Sequence, residues 1–273
     1  MKLVCYRAQG RRQLGVVLAG GIAPAGDPEA FFADVDAGLA RLRGLRPEGL
    51  IPEADVQPLP PVPAAPKIVC VGLNYKRHAE RLKMATTDVP TFFAKYPNAL
   101  LGQGGVIPRP AGAERLDAEA ELAIVIGHRA RAVSRASAMS HVLGYTCGND
   151  VSARDLQFRT SQWFSGKVCD GFCPLGPYLL TSDEAGNPDD LSIRGFRNGE
   201  LVQDSRTSDM IFTCAEIIAH ASAILTLEPG DVILTGTPEG TVADRGSLDW
   251  WRDGEEMAVE VQGLGRLVSR LAR

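Results

Sequence analysis

Three carboxylates recur at every second position of the segment RLDAEAELAIVIG, residues 115–127. If this segment is a strand, Asp117, Glu119 and Glu121 share one face, with neighbours roughly 6.5–7 Å apart. Like charges at that spacing repel each other, so a solvated sheet edge is the simplest interpretation. Glu121 runs directly into the apolar sequence LAIVI, however, which is typical of a buried strand. Buried carboxylates in a row need a counter-charge, and a divalent cation supplies it economically.

A further carboxylate, Asp150, lies in the segment GYTCGNDVSARDLQ, about 30 residues downstream. Together with Glu119 and Glu121 it forms a set of oxygen ligands only. Such a set favours Mg²⁺ or Mn²⁺, since Zn²⁺ prefers histidine or cysteine. Three protein ligands also leave coordination positions open for a substrate. The sequence therefore predicts a metal site formed by these three carboxylates.

Short apolar runs rich in Val and Ile recur after residue 66 and are separated by Gly and Pro turns, which predicts strands. The runs are KIVCVG (67–72), ELAIVIG (121–127), DVILTG (231–236) and MAVEVQG (257–263). Helices are predicted near residues 28–42, 135–143 and 214–226, and Arg154 and Gln157, three residues apart, would lie on one side of a helical turn. These elements indicate a β-rich α+β fold, without the regular alternation of a dinucleotide-binding fold.

The proline-rich segment QPLPPVPAAP, residues 57–66, can form neither a helix nor a central strand. We interpret it as a domain boundary. It separates a small N-terminal domain, residues 1–60, from a main domain, residues 61–273.

The composition is that of an ordinary globular protein, with 45% hydrophobic and 23% charged residues and a net charge of -4 over 273 residues. No basic patch indicates nucleic-acid binding, and no run approaches the roughly 18 apolar residues of a membrane span. The first residues, MKLVCYR, contain too few consecutive apolar residues for the hydrophobic region of a signal peptide. We therefore expect a cytoplasmic protein with neither a nucleic-acid nor a membrane partner.

Seven collinear segments resemble the fumarylacetoacetate hydrolase superfamily, in particular its bacterial-type members with a short N-terminal domain. The segments are KIVCVGLNYKRHA (67–79), PTFFAKYPNALLG (90–102), LDAEAELAIVIG (116–127), GYTCGNDVSARDLQ (144–157), GKVCDGFCPLGPYLLT (166–181), RNGELVQDSRTSDMIF (197–212) and LEPGDVILTGTPEG (227–240). The resemblance implies a mixed β-roll of the family's C-terminal type, assembled as a homodimer. It also implies a 2-oxo or 2,4-dioxo acid as the small-molecule substrate.

The resemblance assigns roles to residues of this chain. The family's metal ligands fall on Glu119, Glu121 and Asp150, which agrees with the set inferred from the residues alone. The family's catalytic lysine falls on Lys167. Substrate-facing polar groups fall on Tyr75, Arg154, Gln157 and Thr237.

One segment departs from the family pattern. Members that hydrolyse or decarboxylate commonly pair a histidine with a glutamate three positions later, on a lid that orders over the substrate. Here the histidine is His78, and Arg81 stands three positions on, while Glu80 comes one residue too early. On a regular helix Glu80 would point away from His78. The resemblance thus leaves His78 as the catalytic residue with Glu80 as its possible partner, and predicts that Arg81→Glu raises the rate of hydrolysis.

Four functions remain open at this point. The first is Mg²⁺- or Mn²⁺-dependent hydrolysis of a C–C bond in an acylpyruvate- or fumarylpyruvate-type acid. The second is an oxaloacetate-type decarboxylase, and the third is an isomerase of an unsaturated 2-oxo diacid. The fourth is a protein that binds metal and oxo acid without turnover. The fold and the metal site do not decide between them.

Overall fold

The computed structural model describes residues 1–45 and 49–272. Strands dominate and helices are short, which confirms the predicted β-rich α+β class. Residues 46–48 and 273 of the two predicted domain ranges lie outside the described residues.

Most strands lie in two sheets. In chain order they are β1 (Lys2–Ala8), β2 (Arg11–Leu18), β3 (Gly21–Gly26), β4 (Gln57–Leu59), β5 (Ile68–Gly72), β6 (Thr91–Lys95), β7 (Leu100–Leu101), β8 (Gly105–Ile107), β9 (Leu116–Asp117), β10 (Ala120–Ile126), β11 (Val142–Asn149), β12 (Ser152–Ala153), β13 (Cys173–Thr181), β14 (Ser192–Arg197), β15 (Glu200–Arg206), β16 (Val232–Leu234), β17 (Glu256–Val261) and β18 (Gly265–Leu271). An eleven-stranded mixed sheet runs in the order β3-β2-β1-β13-β11-β10-β16-β5-β6, with β4 on β1 and β7 on β13. A second sheet runs β15-β14-β17-β18-β8, and β9 pairs separately with β12.

The helices lie between the strands. They are α1 (Pro28–Ala33), α2 (Val35–Arg43), α3 (Lys76–Leu82), α4 (Arg135–Ala138), α5 (Arg154–Gln157), α6 (Phe164–Lys167) and α7 (Cys214–Ile224). The single helix predicted near residues 28–42 is two helices, because the side chain of Asp34 caps the backbone N–H of Ala37 and starts a new helix there. The helix predicted at 135–143 ends early, since β11 already begins at Val142.

Strand β10 forms the centre of the large sheet, and each of its residues is buried. It pairs antiparallel with β11 on one side and with β16 on the other. Leu122, Ile124 and Ile126 pack into one hydrophobic cluster, while Ala123 and Val125 pack into another on the opposite face. Burial on both faces explains the continuous apolar run.

The first strands share the large sheet with the rest of the chain. Strand β1 pairs with β13, with Lys2 opposite Leu180. The proline-rich segment contributes β4, whose Leu59 lies opposite Cys5 of β1. The sheet therefore runs across the boundary predicted at residue 60, and the division into two domains stays a prediction.

Candidate active site

The three predicted metal ligands meet at one end of β10 and β11. Glu121 lies opposite Gly148 in the β10–β11 ladder, and Asp150 follows the last residue of β11. The backbone N–H of Asp150 donates to the carbonyl of Glu119 at 3.0 Å. Glu119, Glu121 and Asp150 are all buried, and their ligand oxygens lie within 4.8 Å of one another.

Two cations neutralise part of this acidic cluster. The Nζ atom of Lys167 lies 2.8 Å from Oε2 of Glu119 and 2.6 Å from Oδ2 of Asp150. The Nη2 atom of Arg154 lies 2.6 Å from Oε1 of Glu119. Burial opposes ionisation of Glu119, but Arg154 and Lys167 outweigh it and hold the pKa of this carboxyl well below its ordinary value. Likewise, burial disfavours the charged lysine, but Asp150 and Glu119 raise the pKa of Lys167. The ion pairs of Glu119 with Arg154 and with Lys167 are therefore charged at neutral pH.

Glu121 differs from the other two ligands. It is 2% exposed, and one oxygen accepts the backbone N–H of Gly236 at 2.7 Å. Within residues 1–45 and 49–272, no ion pair involves its carboxylate. Burial, followed by the nearby charges of Asp150 and Glu119, raises the pKa of Glu121 well above its ordinary value.

The donor set fits a divalent metal ion. Four buried carboxylates, at positions 117, 119, 121 and 150, are close to three buried cations, Lys95, Arg154 and Lys167. Ionisation of all four would leave one negative charge without a counter-charge from these cations, which is costly in a buried site and agrees with the raised pKa of Glu121. Mg²⁺ and Mn²⁺ prefer carboxylate oxygens, and Glu119, Glu121 and Asp150 would hold such an ion.

Lys95 supports the cluster from behind, a role that the sequence did not reveal. It is 2% exposed, and its Nζ lies 2.6 Å from Oδ1 of Asp150. Its hydrogen bonds go to backbone carbonyls instead, those of Lys167 at 2.6 Å, Phe172 at 2.8 Å and Val151 at 3.1 Å. The ammonium of Lys95 thus holds three backbone carbonyls and the carboxylate of Asp150 in place.

Asp117 shares the alternating pattern but lies outside the ligand cluster. Strand pairing is interrupted between β9 and β10, and the carboxylate of Asp117 accepts from Nε of Arg154 at 3.0 Å. It also accepts the backbone N–H groups of Val242 and Ala243, at 2.9 and 3.1 Å. Asp117 thus anchors Arg154 and the segment after β16, rather than a metal.

His78 lies on α3 and has a carboxylate partner that the sequence did not reveal. Its side chain is 5% exposed, and Nδ1 lies 2.8 Å from Oδ2 of Asp244. The Asp244 carboxylate is fixed by the backbone N–H of Gly240, at 2.9 Å. Glu80 and Arg81 are exposed on the same helix. Asp244 therefore takes the position next to His78 that was considered for Glu80.

A single cavity brings together most of the predicted site residues. It is lined by the three carboxylates and by His78, Arg154, Gln157, Lys167 and Thr237, together with apolar side chains. The Arg154–Gln157 pair on α5 is also as predicted, since Nη1 of Arg154 donates to Oε1 of Gln157 at 2.9 Å.

Tyr75 is the predicted substrate-binding residue that does not reach the cavity. It is 0% exposed and packs in the hydrophobic cluster that contains Leu122 and Ile124. Its backbone forms an isolated bridge to Met210. The structure therefore places Tyr75 among core residues.

Comparison with known proteins identifies the class. Residues 67–272 match the family described as fumarylacetoacetate (FAA) hydrolase C-terminal. The chain therefore belongs to the fumarylacetoacetate hydrolase family, as the sequence motifs predicted.

Relatives within this class carry out different reactions. The chain is 40% identical to a mitochondrial oxaloacetate tautomerase, FAHD2B of Bos taurus, over 81% of this chain and 71% of that protein. The structure of a 5-carboxymethyl-2-hydroxymuconate delta-isomerase from Mycobacterium smegmatis is 35% identical, covers 100% of both chains and has a TM-score of 0.83. That of a maleylpyruvate hydrolase from Sphingobium sp. SYK-6 is 30% identical, covers 100% of this chain and 99% of that one, and has a TM-score of 0.80.

These relatives support an enzyme of this family rather than the hydrolase in particular. None of the helices in the described part of the chain has the length and hydropathy needed to cross a bilayer.

Proposed function

We propose that this protein is a metal-dependent tautomerase, which moves a proton between C3 and the oxo oxygen of a 2-oxo acid. The observation that carries the proposal is the buried His78–Asp244 pair, whose histidine lines the same cavity as the carboxylate cluster. A family relative is named an oxaloacetate tautomerase, and another is named an isomerase. Proton transfer is common to both reactions.

The residues of this chain suit that chemistry. In the tautomer in which Nδ1–H of His78 donates to Asp244, Nε2 carries no proton. Nε2 can then accept a proton from C3 of the substrate. A bound Mg²⁺ or Mn²⁺ would supply Lewis acidity toward the carboxylate and oxo oxygens. Lys167 provides a fixed positive charge close to where negative charge develops on the oxo oxygen. The proton returns from His78 to that oxygen, so the reaction needs no water as nucleophile.

One experiment separates this proposal from the other functions. The protein is incubated with Mn²⁺ or Mg²⁺ and a panel of 2-oxo and 2,4-dioxo acids in D₂O, and the products are followed by NMR. Tautomerisation exchanges the C3 hydrogens for deuterium, hydrolysis releases an acyl acid, and decarboxylation releases CO₂. Exchange that depends on metal and disappears in His78→Asn supports the proposal. Cleavage of a dioxo acid without faster exchange of simple 2-oxo acids would instead establish the hydrolase.

Two properties stay predictions: the homodimer, which the family resemblance implies, and the cytoplasmic location, which was expected from the sequence itself. The homodimer is tested by light scattering of the purified chain. The cytoplasmic location is tested by imaging the tagged protein, since the tautomerase relative is named as mitochondrial.

A further inference from the structure

The polarity of the active-site cavity is inverted with depth. All its charged and polar lining residues are at most 9% exposed, and His78, Glu119 and Lys167 are at most 5% exposed. The most exposed lining residues are apolar instead, since Met84 is 38% and Phe158 55% exposed. Large hydrophobic side chains that gather at the opening of a charged site mark a binding surface.

Six partly buried or exposed apolar side chains line the cavity, and we term this set the apolar mouth. It consists of Leu73, Leu82, Met84, Phe93, Phe158 and Trp163. Trp163 packs directly on Gly72, where any Cβ would clash with the indole ring. Its ring also meets Phe93 edge to face, with the centroids 5.5 Å apart. Part of the apolar mouth is thus held in place before a ligand binds.

The cations of the cavity are already engaged at its buried end. Arg154 contacts Asp117 and Glu119, and Lys167 contacts Glu119 and Asp150. The charged side chains that line the cavity all belong to this buried group, and its other lining residues in the described chain are uncharged. A second carboxylate on the far end of a substrate would therefore lose water there without gaining a counter-charge, which is unfavourable.

From this arrangement we infer the substrate class: a 2-oxo acid whose far end is an alkyl or aryl group rather than a second carboxylate. The 2-oxo acid end occupies the charged, buried part of the cavity, and the apolar end covers the mouth. The inference rests on the proposed function for the 2-oxo acid end. The apolar character of the far end is inferred from the side chains of the apolar mouth.

A matched pair of ligands tests the inference. The acids 2-oxohexanoate and 2-oxoglutarate have similar lengths and differ in the far end, which is a methyl group in one and a carboxylate in the other. Affinity for the Mg²⁺-loaded protein is measured by isothermal titration, and C3 hydrogen exchange is measured separately. We expect 2-oxohexanoate to bind at least about tenfold more tightly, and 2-oxo-4-phenylbutanoate more tightly still, because each buries additional apolar area.

Phe158→Lys is the informative variant, because this exposed side chain can change without disturbing the core. A cation at the mouth should lower affinity for 2-oxohexanoate and raise it for 2-oxoglutarate, and so shrink or reverse the ratio. Ile224→Lys is the matched control, because Ile224 is 70% exposed and lies outside the cavity. It should leave the ratio unchanged.

The outcomes separate the two proposals. Binding of 2-oxoglutarate as tightly as 2-oxohexanoate, or an unchanged ratio in Phe158→Lys, overturns the substrate class. The expected binding preference without any C3 exchange overturns the tautomerase and leaves the substrate class in place. Failure of both acids to bind overturns the two together.

Discussion

The carboxylate cluster and the histidine of the His78–Asp244 pair line one cavity, but the chain assembles the cluster and the pair over very different sequence distances. Glu119 and Glu121 are two residues apart, and Asp150 arrives through the β10–β11 ladder. His78 and Asp244 are separated by 166 residues and meet only because α3 packs against the segment after β16. The cluster is therefore a product of local strand geometry, whereas the pair is a product of tertiary packing. A substitution in the cluster should therefore impair metal binding, and a substitution in the pair should impair proton transfer without impairing metal binding.

The largest effect is expected when the cluster loses its unpaired ligand. In Glu121→Gln the side chain keeps its shape and its bond to the Gly236 N–H but can no longer offer a carboxylate to a metal ion. We expect no Mn²⁺ binding, by isothermal titration, at concentrations that saturate the wild type. Glu200→Gln, an exposed carboxylate outside the cavity, is the control. Unchanged Mn²⁺ affinity in Glu121→Gln would contradict the metal site.

Loss of the proposed base, His78, should lower the reaction rate but leave metal binding unchanged. His78→Asn removes the proton acceptor, and positioned general bases contribute roughly 10²–10⁴-fold in rate. We expect C3 exchange to fall by that factor while Mn²⁺ affinity stays the same. A matching loss of Mn²⁺ affinity would show that the two regions are not separable.

Asp244→Asn should have a smaller effect of the same kind. The amide can still accept the Gly240 N–H but no longer favours the tautomer with Nδ1–H toward Asp244. We expect kcat to fall by roughly 10–100-fold with little change in KM. The double variant His78→Asn, Asp244→Asn should lose no more than His78→Asn alone, because Asp244 acts through His78. Additive losses would assign Asp244 a separate role.

Asp117→Asn should affect the cluster indirectly. The carboxylate of Asp117 accepts hydrogen bonds from Arg154 and from the backbone N–H groups of Val242 and Ala243. In Asp117→Asn the side-chain NH₂ group would face some of these donors and leave them without an acceptor. We expect the free energy of unfolding to fall by about 1–3 kcal/mol, as for an unsatisfied buried group. Mn²⁺ affinity should fall by no more than roughly 10–100-fold. Complete loss of binding would make Asp117 a ligand.

The same contrast explains what the sequence could predict. The alternation around Glu119 and the apolar run of β10 are local signals, and they predicted the buried strand and the grouping of Glu119 and Glu121 with Asp150. The Arg154–Gln157 pair was likewise predicted from helical spacing. Lys95 gave no signal, since its partners lie 56 to 77 residues away, and a lone lysine in an edge strand usually faces solvent. The separation of Glu80 from His78 was predicted from helical geometry, but the identity of Asp244 depends on packing that no local pattern encodes.

The smallest effects are expected on the exposed side of α3, where the sequence placed the partner of His78. Glu80 and Arg81 are both exposed, and Nδ1 of His78 already contacts Asp244. Arg81→Glu should therefore not raise the rate, contrary to the expectation from the family pattern, because an added carboxylate would find its position beside the histidine filled. Glu80→Gln and Arg81→Glu should each change kcat/KM by no more than about twofold, as is usual for surface substitutions. A Glu80→Gln enzyme that loses activity as severely as Asp244→Asn would show that α3 rearranges over the substrate and exchanges one carboxylate partner for the other.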